Sequence, residues 1–198
     1  MSASADDIFQ ADVDAACRCM LAGGVIAYPT DTVWGLGCDA RNAAAVARIF
    51  AIKRRAESKA LITLVDSLDM LARYVYSLPA AVAVITAQGR AEGRPVTMVI
   101  DGASRLADGV AAADGSAGFR ITAEAYSAAL CRGIGGPIVS TSANRSGEPA
   151  AALFAQIGPD LLAECDYVAL WRRDDTTPAR PSKVVKISAD GALTVLRP

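Results

Sequence analysis

Residues 25–39, VIAYPTDTVWGLGCD, are the stretch that decides the fold. Residues 25–28 form an apolar run preceded by two glycines, which is typical of a buried β-strand. Pro29 ends the strand because proline has no N–H to donate to a ladder. We expect residues 30–39 to form a loop, in which polar side chains come first and two glycines then permit unusual backbone shapes. Open α/β sheets bind ligands beyond the C-terminal ends of strands, although an ordinary strand-to-helix loop would have the same composition.

The composition is that of a single globular domain over residues 1–198. Of the 198 residues, 53% are hydrophobic and 21% are charged, so a sizeable core can form. No apolar run approaches the roughly 20 residues of a membrane-spanning helix. The N-terminus is acidic and has no hydrophobic core region, so it does not resemble a signal peptide. The five cysteines are scattered without a C-x-x-C motif, and we therefore expect reduced thiols in a cytoplasmic protein.

The absence of histidine is the most informative feature of the composition. It excludes Ser-His-Asp and Cys-His triads, and it excludes histidine as a general base or zinc ligand. Any chemistry must use carboxylates, cationic side chains, hydroxyls, backbone amides or groups of the substrate. The net charge of −1 argues against tight non-specific binding to nucleic acid, although a local basic patch is compatible with it.

Helical and extended patterns alternate along the chain, which predicts an α/β fold with an open, twisted mixed sheet and flanking helices. The predicted strands are residues 25–28, 61–65, 96–100, 119–121, 138–139 and 167–170, with a hairpin formed by 183–187 and 193–197. The predicted helices are residues 12–21, 43–52, 68–75, 79–87, 123–131 and one or two within 150–164. Asn42 is the expected cap of the second helix, and Thr122 is the expected cap of the fifth. Residues 104–118, rich in Ala, Gly and Asp, are expected to form a mobile loop.

Two predicted strands end in clusters of small polar side chains. The members are Thr30 and Thr32 in the first cluster and Ser140, Thr141, Ser142 and Asn144 in the second. The basic positions are Lys53, Arg55 and Lys59 after the second helix, Arg120 in a short strand, and Arg197 near the C-terminus. If they converge, hydroxyls and cations suit phosphate and carboxylate groups, which arginine can bind bidentately. Because no protein nucleophile is evident, nucleotidyl transfer fits well, since it depends on positioning and charge neutralisation.

Ordinary structural roles compete with these assignments. The basic residues after the second helix can be a solvated helix end that favours the macrodipole, and residues 140–144 can be a helix-capping turn. Asp31 is expected to cap the following turn in preference to binding Mg²⁺. Cys38 is expected to be a buried structural thiol and Tyr28 to lie in the core, whereas Trp34 can stack on a nucleobase or pack inside.

Four motifs, in their order and spacing, resemble the YrdC/TsaC family of L-threonylcarbamoyladenylate synthases. They are YPTDTVWGLGCDA at 28–40, IKRRAESKALITLV at 52–65, GFRIT at 118–122 and STSANRSGEPAA at 140–151. The resemblance covers roughly residues 10–198, and the first and last motifs together are highly specific. The chain keeps the Ser-Ala-Asn of the last motif, which a sister branch of the family replaces, and this favours the synthase.

The resemblance implies an open α/β fold with a large, concave and positively charged face. It also implies a synthase that condenses L-threonine, bicarbonate or CO₂, and ATP with Mg²⁺ into threonylcarbamoyl-AMP and pyrophosphate. A separate transferase complex would pass the threonylcarbamoyl group to adenosine 37 of tRNA. The implied threonine site consists of Thr30, Thr32, Arg120, Ser140 and Ser182. The implied ATP site consists of Lys53, Arg55, Lys59, Ser116, Ser142, Asn144 and Arg197, with Lys53 and Arg55 acting in catalysis; no protein metal ligand is assigned.

Four departures from the family pattern bear on the ATP contacts. Ala56 replaces the proline of K-x-R-P, and residues 92–94 (Glu-Gly-Arg) replace the W-P-G of W-P-G-P. Leu64 stands where some members have histidine, and Lys183 replaces the threonine of P-S-T. The chain has no counterpart of the additional C-terminal domain found in longer relatives, so we expect the short, single-domain type.

The competing hypothesis is a non-catalytic module that binds double-stranded or structured RNA on a basic face. The net charge of −1 argues against it, because strong binding to a phosphate backbone needs several clustered cations. Weak RNA binding is compatible with the synthase as well. A third hypothesis is a carbamoyl-transfer domain of a larger maturation enzyme, which the lack of zinc-finger cysteines disfavours.

Overall fold

A mixed β-sheet organises the chain, of which the computed structural model describes residues 4–54, 61–188 and 191–198. The strands are β1 (Ile26–Tyr28), β2 (Gly35–Asp39), β3 (Ile62–Val65), β4 (Val96–Ile100), β5 (Ala117–Ile121), β6 (Ile138–Ser142), β7 (Tyr167–Val168), β8 (Lys183–Ile187) and β9 (Leu193–Arg197). The helices are α1 (Ala5–Leu21), α2 (Ala43–Lys53), α3 (Leu68–Ala72), α4 (Ala81–Ala91), α5 (Ala125–Gly133) and α6 (Pro159–Leu162), with a 3₁₀ turn at Phe154–Gln156. Among the described residues the strand order is β7-β1-β2-β6-β3-β5-β4-β8-β9, with parallel and antiparallel pairs. The predicted open, mixed α/β sheet is confirmed.

The register of the central strands places the site residues on one face of the sheet. Ser140 of β6 pairs with Ile62 of β3, and Ile62 pairs with Gly118 of β5. Because side chains alternate between the two faces, Arg120 shares the face of Gly118. Leu64 is fully buried on this face, whereas a recess remains open over Ile62. The strands thus present polar side chains from several parts of the sequence to one recess.

The N-terminal half contains a longer helix and one more strand than the sequence predicted. Helix α1 begins at Ala5 rather than at residue 12, because Ser4 and Asp7 form a capping box. The Ser4 hydroxyl accepts the Asp7 N–H at 3.1 Å, and the Asp7 carboxylate accepts the Ser4 N–H at 3.0 Å. Residues 35–39, expected as loop, form β2, which pairs with both β1 and β6.

The glycines of β2 are explained by space rather than by backbone freedom, since neither has a positive φ. A Cβ at Gly37 would lie 2.6 Å from Cε1 of Tyr28 and 2.8 Å from the carbonyl oxygen of Val139. A Cβ at Gly35 would lie 3.2 Å from Cγ2 of Thr30. Glycine therefore allows the Tyr28 ring, which is fully buried as predicted, to lie against the strand.

The ends of the remaining elements differ from the prediction by a few residues. Helix α2 has the predicted cap, in which the Asn42 side chain accepts the N–H of Ala45. Helix α5 is capped by Glu124 rather than by Thr122, because the Glu124 carboxylate accepts the Ser127 N–H at 2.7 Å. Helices α3 and α6 and strand β7 are shorter than expected. In the part of the chain that the structure describes, no helix combines the length and apolar character needed to cross a membrane.

Helix α4 extends beyond its predicted end at residue 87, and the segment expected as a mobile loop is held by contacts with the rest of the fold. Helix α4 runs through Gly89, where a Cβ would lie 2.7 Å from the carbonyl oxygen of Arg94. The segment 104–118, expected to be mobile, is anchored to the turn that precedes α2. The Ala107 N–H donates to the carbonyl oxygen of Ala40 at 2.8 Å. Val110 in the same segment is fully buried. Such anchors hold the segment against the body of the fold, and its last residues belong to β5.

Candidate active site

The recess on the sheet is a cavity of about 350 Å³ that brings together most of the predicted site residues. The residues of the expected threonine site that line it are Thr30, Thr32, Arg120, Ser140 and Ser182. The residues of the expected ATP site that line it are Ser116, Ser142 and Arg197. Residues 140–142 belong to β6 and not to a helix-capping turn. Hydroxyls and guanidinium groups thus converge on one concave surface, as a ligand site requires.

The hydrogen bonds after β1 give Thr30 and Thr32 different roles. The Thr30 hydroxyl donates its single proton to the carbonyl oxygen of Val33 at 2.8 Å and accepts the Thr32 N–H at 3.0 Å. Because the two hydroxyl oxygens are 3.0 Å apart, the Thr32 hydroxyl must donate to Thr30. The Thr30 hydroxyl is therefore fully used, whereas Thr32 keeps a lone pair for a ligand. Thr30, rather than Asp31 as expected, closes this turn.

Arg120 forms a buried ion pair that the sequence did not reveal. Its Nη2 lies 3.0 Å from Oδ1 of Asp31, and the two side chains are only 3% and 9% exposed. Among the described residues, Nε of Arg120 and Oδ1 of Asp31 have no partner with hydrogen-bond geometry. The guanidinium is thus held by charge at the wall of the cavity and retains donors for a further acceptor.

Ser182 and Arg197 form a linked pair in the cavity wall. Arg197 donates to the carbonyl oxygen of Ser182 from Nε at 3.0 Å and from Nη2 at 2.8 Å, and Nη2 also reaches the Ser182 hydroxyl at 3.1 Å. The Ser182 hydroxyl oxygen is 2.8 Å from that of Thr97. Burial lowers the pKa of Arg197, and the positive charges of Arg120 and Arg94 lower it further. These guanidinium groups create a positive field that favours an anionic ligand.

Ser116 reaches the cavity from the segment that precedes β5. Its hydroxyl donates to Oδ1 of Asp114 at 2.6 Å, and its N–H donates to the same oxygen at 2.9 Å. These hydrogen bonds, the one from the hydroxyl first, lower the pKa of Asp114 below its ordinary value. Because the hydroxyl proton is used, Ser116 would have to leave Asp114 in order to donate to a phosphate oxygen.

Lys53 and Asn144, both predicted to bind ATP, contact each other and are not among the residues that line the cavity. Lys53 is 3% exposed, and its Nζ donates to the carbonyl oxygens of Ser142 and of Asn144, the latter at 2.8 Å. This burial contradicts the alternative of a solvated helix end for Lys53. The ammonium group holds the exit of β6, where Ser142 lines the cavity. The other predicted cations, Arg55 and Lys59, lie outside the described residues.

Arg145 ties the exit of β6 to two helices, a role for which the sequence carried no signal beyond a cation in the last motif. Its side chain is buried, and Nη1 donates to the carbonyl oxygen of Ile52 in the last turn of α2. Nη2 contacts the carboxylates of Asp160, at 3.1 Å, and Glu164. A cation at this helix end is favourable because it meets unpaired carbonyl groups. Arg145 is thus a support of the site rather than part of its surface.

Cys38 and Trp34 belong to the core and not to the ligand surface. Cys38 is fully buried, and burial raises the pKa of its thiol, which confirms the predicted structural role. Trp34 is 3% exposed, and its ring centroid lies 5.0 Å from that of Phe154. Trp34 therefore packs inside and is not placed to stack on a nucleobase.

The cavity is built for binding and charge neutralisation. Its described lining offers hydroxyl groups and two guanidinium groups, and it contains no cysteine, lysine or carboxylate that could act as a nucleophile. No group of three or more metal-ligating side chains occurs within the ranges 4–54, 61–188 and 191–198. The described lining is thus suited to binding an anionic ligand and neutralising its charge.

Comparison with known proteins gives consistent matches over most of the chain. The family model for Sua5, YciO and YrdC proteins, described as telomere recombination, matches residues 18–198. A threonylcarbamoyl-AMP synthase of Xanthomonas campestris pv. campestris strain B100 is 40% identical over 157 residues, which is 79% of this chain and 84% of that protein. A protein of the same name from Halorhodospira halophila is 45% identical over 135 residues, which is 68% of this chain and 70% of that protein.

A solved structure shows the same fold. Sua5 of P. abyssi, crystallised with L-threonine, aligns with a TM-score of 0.81 over 94% of this chain and 53% of that chain. The sequence identity is 23%, so this likeness concerns the fold. The family model spans nearly the whole sequence, and the two named relatives are 40% and 45% identical over 79% and 68% of this chain. The chain therefore belongs to the Sua5/YciO/YrdC family.

Proposed function

We propose that this protein is an L-threonylcarbamoyladenylate synthase. It would join L-threonine, bicarbonate or CO₂, and ATP into threonylcarbamoyl-AMP and pyrophosphate. The observation that carries the proposal is the cavity in which the Arg120 guanidinium meets the hydroxyls of Thr32, Ser140 and Ser182. The relatives that are 40% and 45% identical bear the name of this activity, which supports the same assignment.

The threonine site follows from the donors and acceptors of the cavity. Arg120 would bind the carboxylate, because a guanidinium can donate two parallel hydrogen bonds to it. The Thr32 hydroxyl would accept an N–H of the substrate amine, since its own proton is donated to Thr30. Ser140 and Ser182 supply further hydroxyls on the same surface. Thr30, which the motif assigned as a direct ligand of threonine, would instead support Thr32 by accepting its N–H and its hydroxyl proton.

Two bond-forming steps would complete the reaction. The neutral amine of threonine attacks the carbon of CO₂ or bicarbonate to form a carbamate, with loss of a proton when CO₂ reacts and loss of water when bicarbonate reacts. A carbamate oxygen then attacks the α-phosphorus of ATP, and the bond to the β-phosphate breaks to release pyrophosphate. The substrates supply both nucleophiles, which is how a chain without histidine could perform this chemistry. The protein would contribute positioning and cationic groups that balance the developing negative charge.

The ATP contacts are assigned to residues of the β6 exit and its neighbours. Ser142 and Arg197 line the cavity, and Lys53 orients the β6 exit through the carbonyl oxygens of Ser142 and Asn144. Arg55 and Lys59 are assigned to the phosphates by their motif. Mg²⁺ would arrive with the ATP phosphates; the described residues contain no acidic cluster that fits a resident ion, so we assign it no protein ligand.

The product defines the next step. Threonylcarbamoyl-AMP is a mixed anhydride, so a separate enzyme must transfer its acyl group to a nucleophile. We assign this acceptor to adenosine 37 of tRNA and the transfer to a separate complex in the cytoplasm. Neither partner is needed for pyrophosphate release by the chain itself.

Pyrophosphate release from ATP with Mg²⁺ tests the proposal. We expect release to require both L-threonine and bicarbonate, and we expect Arg120→Ala to raise the KM for threonine far more than the KM for ATP. The control is Arg132→Ala, because Arg132 is 60% exposed and does not line the cavity. Threonine-independent release, or no release, would contradict the proposal. Salt-sensitive binding to structured RNA without turnover would instead favour a non-catalytic RNA-binding module.

A further inference from the structure

Asp31 is a buried acid beside the group that the proposed function assigns to a substrate carboxylate. Its Oδ1 lies 3.0 Å from Nη2 of Arg120, and the Asp31 side chain is 9% exposed. The negative charge of an acid in this place opposes the binding of an anion by repulsion. Its presence beside the anion site therefore calls for a second role that offsets this cost. The position of Asp31 therefore points to a role in preparing Arg120.

The turn that carries Asp31 is fixed from two sides. Within the turn, the Thr30 hydroxyl bonds the carbonyl oxygen of Val33 at 2.8 Å. From outside, Nη1 of Arg172 donates to the carbonyl oxygen of Thr30 at 3.1 Å, and Nε of Arg172 is paired with Asp175 at 2.7 Å. The Asp31 carboxylate is thus presented to Arg120 from a rigid turn, which is what a positioning role requires.

Arg120 lies near other cations, and among the described residues it forms an ion pair with Asp31. The positive charges of Arg120 and Arg94 both act on Arg197, so three guanidinium groups share this region. Asp31 and Arg94 also line a second cavity of about 400 Å³, whereas Arg120 lines the site cavity. A buried guanidinium without a counter-ion is costly and would turn towards any other acceptor. Asp31 therefore determines where the Arg120 side chain rests.

We propose that Asp31 is a positioning residue that holds the Arg120 guanidinium ready for the substrate carboxylate and so makes tight binding depend on that carboxylate. The contact balances charge while leaving donors available, because Nε of Arg120 has no hydrogen-bond partner among the described residues. The inference rests on the proposed function, since it takes the carboxylate of threonine as the ligand of Arg120.

Asp31→Asn tests the inference because it keeps the side-chain shape and removes the charge. Calorimetric titration with L-threonine should show an affinity lower by about tenfold or more, as expected when a charge-assisted contact is misaligned. The KM for ATP should stay within about twofold of the wild-type value if the effect is confined to the carboxylate contact. L-Threoninol, which lacks the carboxylate, should bind equally to the wild type and to Asp31→Asn.

A double variant shows whether Asp31 acts through Arg120. Asp31→Asn combined with Arg120→Ala should bind threonine as weakly as Arg120→Ala alone, because the two residues form one unit. Asp31→Glu, which keeps the charge one methylene farther out, should bind threonine with an affinity between those of the wild type and Asp31→Asn. The matched control is Asp14→Asn, an exposed acid on α1, which should bind threonine like the wild type.

Four outcomes would overturn the inference: unchanged threonine affinity in Asp31→Asn, higher affinity in that variant, additive losses in the double variant, or an equal loss for threoninol. If Asp31→Asn fails to fold, Asp31→Glu decides, since wild-type threonine affinity in Asp31→Glu would overturn the inference as well. Direct binding keeps the two proposals apart. A wild-type protein that binds threonine without releasing pyrophosphate would refute the synthase and leave the role of Asp31 to be judged by the titrations.

Discussion

Thr30→Val separates a structural threonine from a ligand-binding one. Valine has a similar branched shape, so the change removes the hydroxyl with little change in side-chain size. The hydroxyl oxygen of Thr30 lies 3.0 Å from the Thr32 nitrogen, 2.8 Å from the Val33 carbonyl oxygen and 3.0 Å from the Thr32 hydroxyl oxygen. Thr30 is 2% exposed, so water can replace these contacts only in part. With a net contribution of about 1 kcal/mol per hydrogen bond, we expect the free energy of unfolding to fall by about 2–3 kcal/mol.

Urea unfolding followed by circular dichroism measures this loss directly. For a chain of this length, the same loss corresponds to a melting temperature lower by about 5–10 °C. Thr30→Ser keeps the hydroxyl and is the matched control, for which we expect a loss of less than about 1 kcal/mol. Thr32→Val should show the opposite balance, with a smaller loss of stability than Thr30→Val and a larger loss of threonine affinity, because the Thr32 hydroxyl gives one proton to Thr30 and faces the cavity.

Two results would refute the division of roles between Thr30 and Thr32. One is a Thr30→Val variant that unfolds at the same urea concentration as the wild type. The other is a Thr32→Val variant that binds L-threonine as tightly as the wild type. The first result would mean that the Thr30 hydroxyl does not hold the turn, and the second that the Thr32 hydroxyl does not contact threonine.

Three further predictions follow from particular contacts. Gly37→Ala would place a methyl group 2.6 Å from the Tyr28 ring and should lower the free energy of unfolding by about 1–3 kcal/mol in a urea titration. Lys53→Met removes the donor to two carbonyl oxygens at the β6 exit and should slow pyrophosphate release while the circular dichroism spectrum stays native; wild-type rates would contradict its assignment. A hydrogen bond from Arg48 lowers the pKa of Asp166 in the folded protein. The Arg48–Asp166 pair is exposed, so it stabilises the folded state by less than about 1 kcal/mol. This stabilisation is present above the unfolded pKa of about 3.9 and is lost as the pH falls through the lower folded pKa. Arg48→Met should flatten the stability profile in that acidic range, as measured by urea unfolding at several pH values.

Elements with local signals could be predicted from the sequence. The apolar run before Pro29, the Asn42 cap and the hairpin of β8 and β9 each depend on residues close together in the chain. Strand β2 could not be predicted in the same way, because glycine is a poor strand former and reads as loop. Gly37 is explained by its contact with the Tyr28 ring, which exists only after the two strands pair.

In the site, the sequence indicated which residues take part but not which residues they contact. The motifs indicated Arg120 and the hydroxyl residues of the cavity, but the ion pair of Arg120 with Asp31 joins a strand to a distant turn and has no local signal. The basic sequence after α2 is typical of a solvated helix end, yet Lys53 is buried because carbonyl oxygens of the β6 exit accept its protons. Hydrogen-bond partners decided these roles, and partners depend on the assembled fold.

The most direct test of the proposed activity is to identify the product. The purified chain would be incubated with ATP, Mg²⁺, L-threonine and ¹³C-bicarbonate, and the nucleotides analysed by mass spectrometry. We predict an adenylate that contains threonine and the labelled carbon and that forms together with pyrophosphate. Consumption of ATP without such an adenylate, or an adenylate that carries threonine without the labelled carbon, would contradict the proposed synthase.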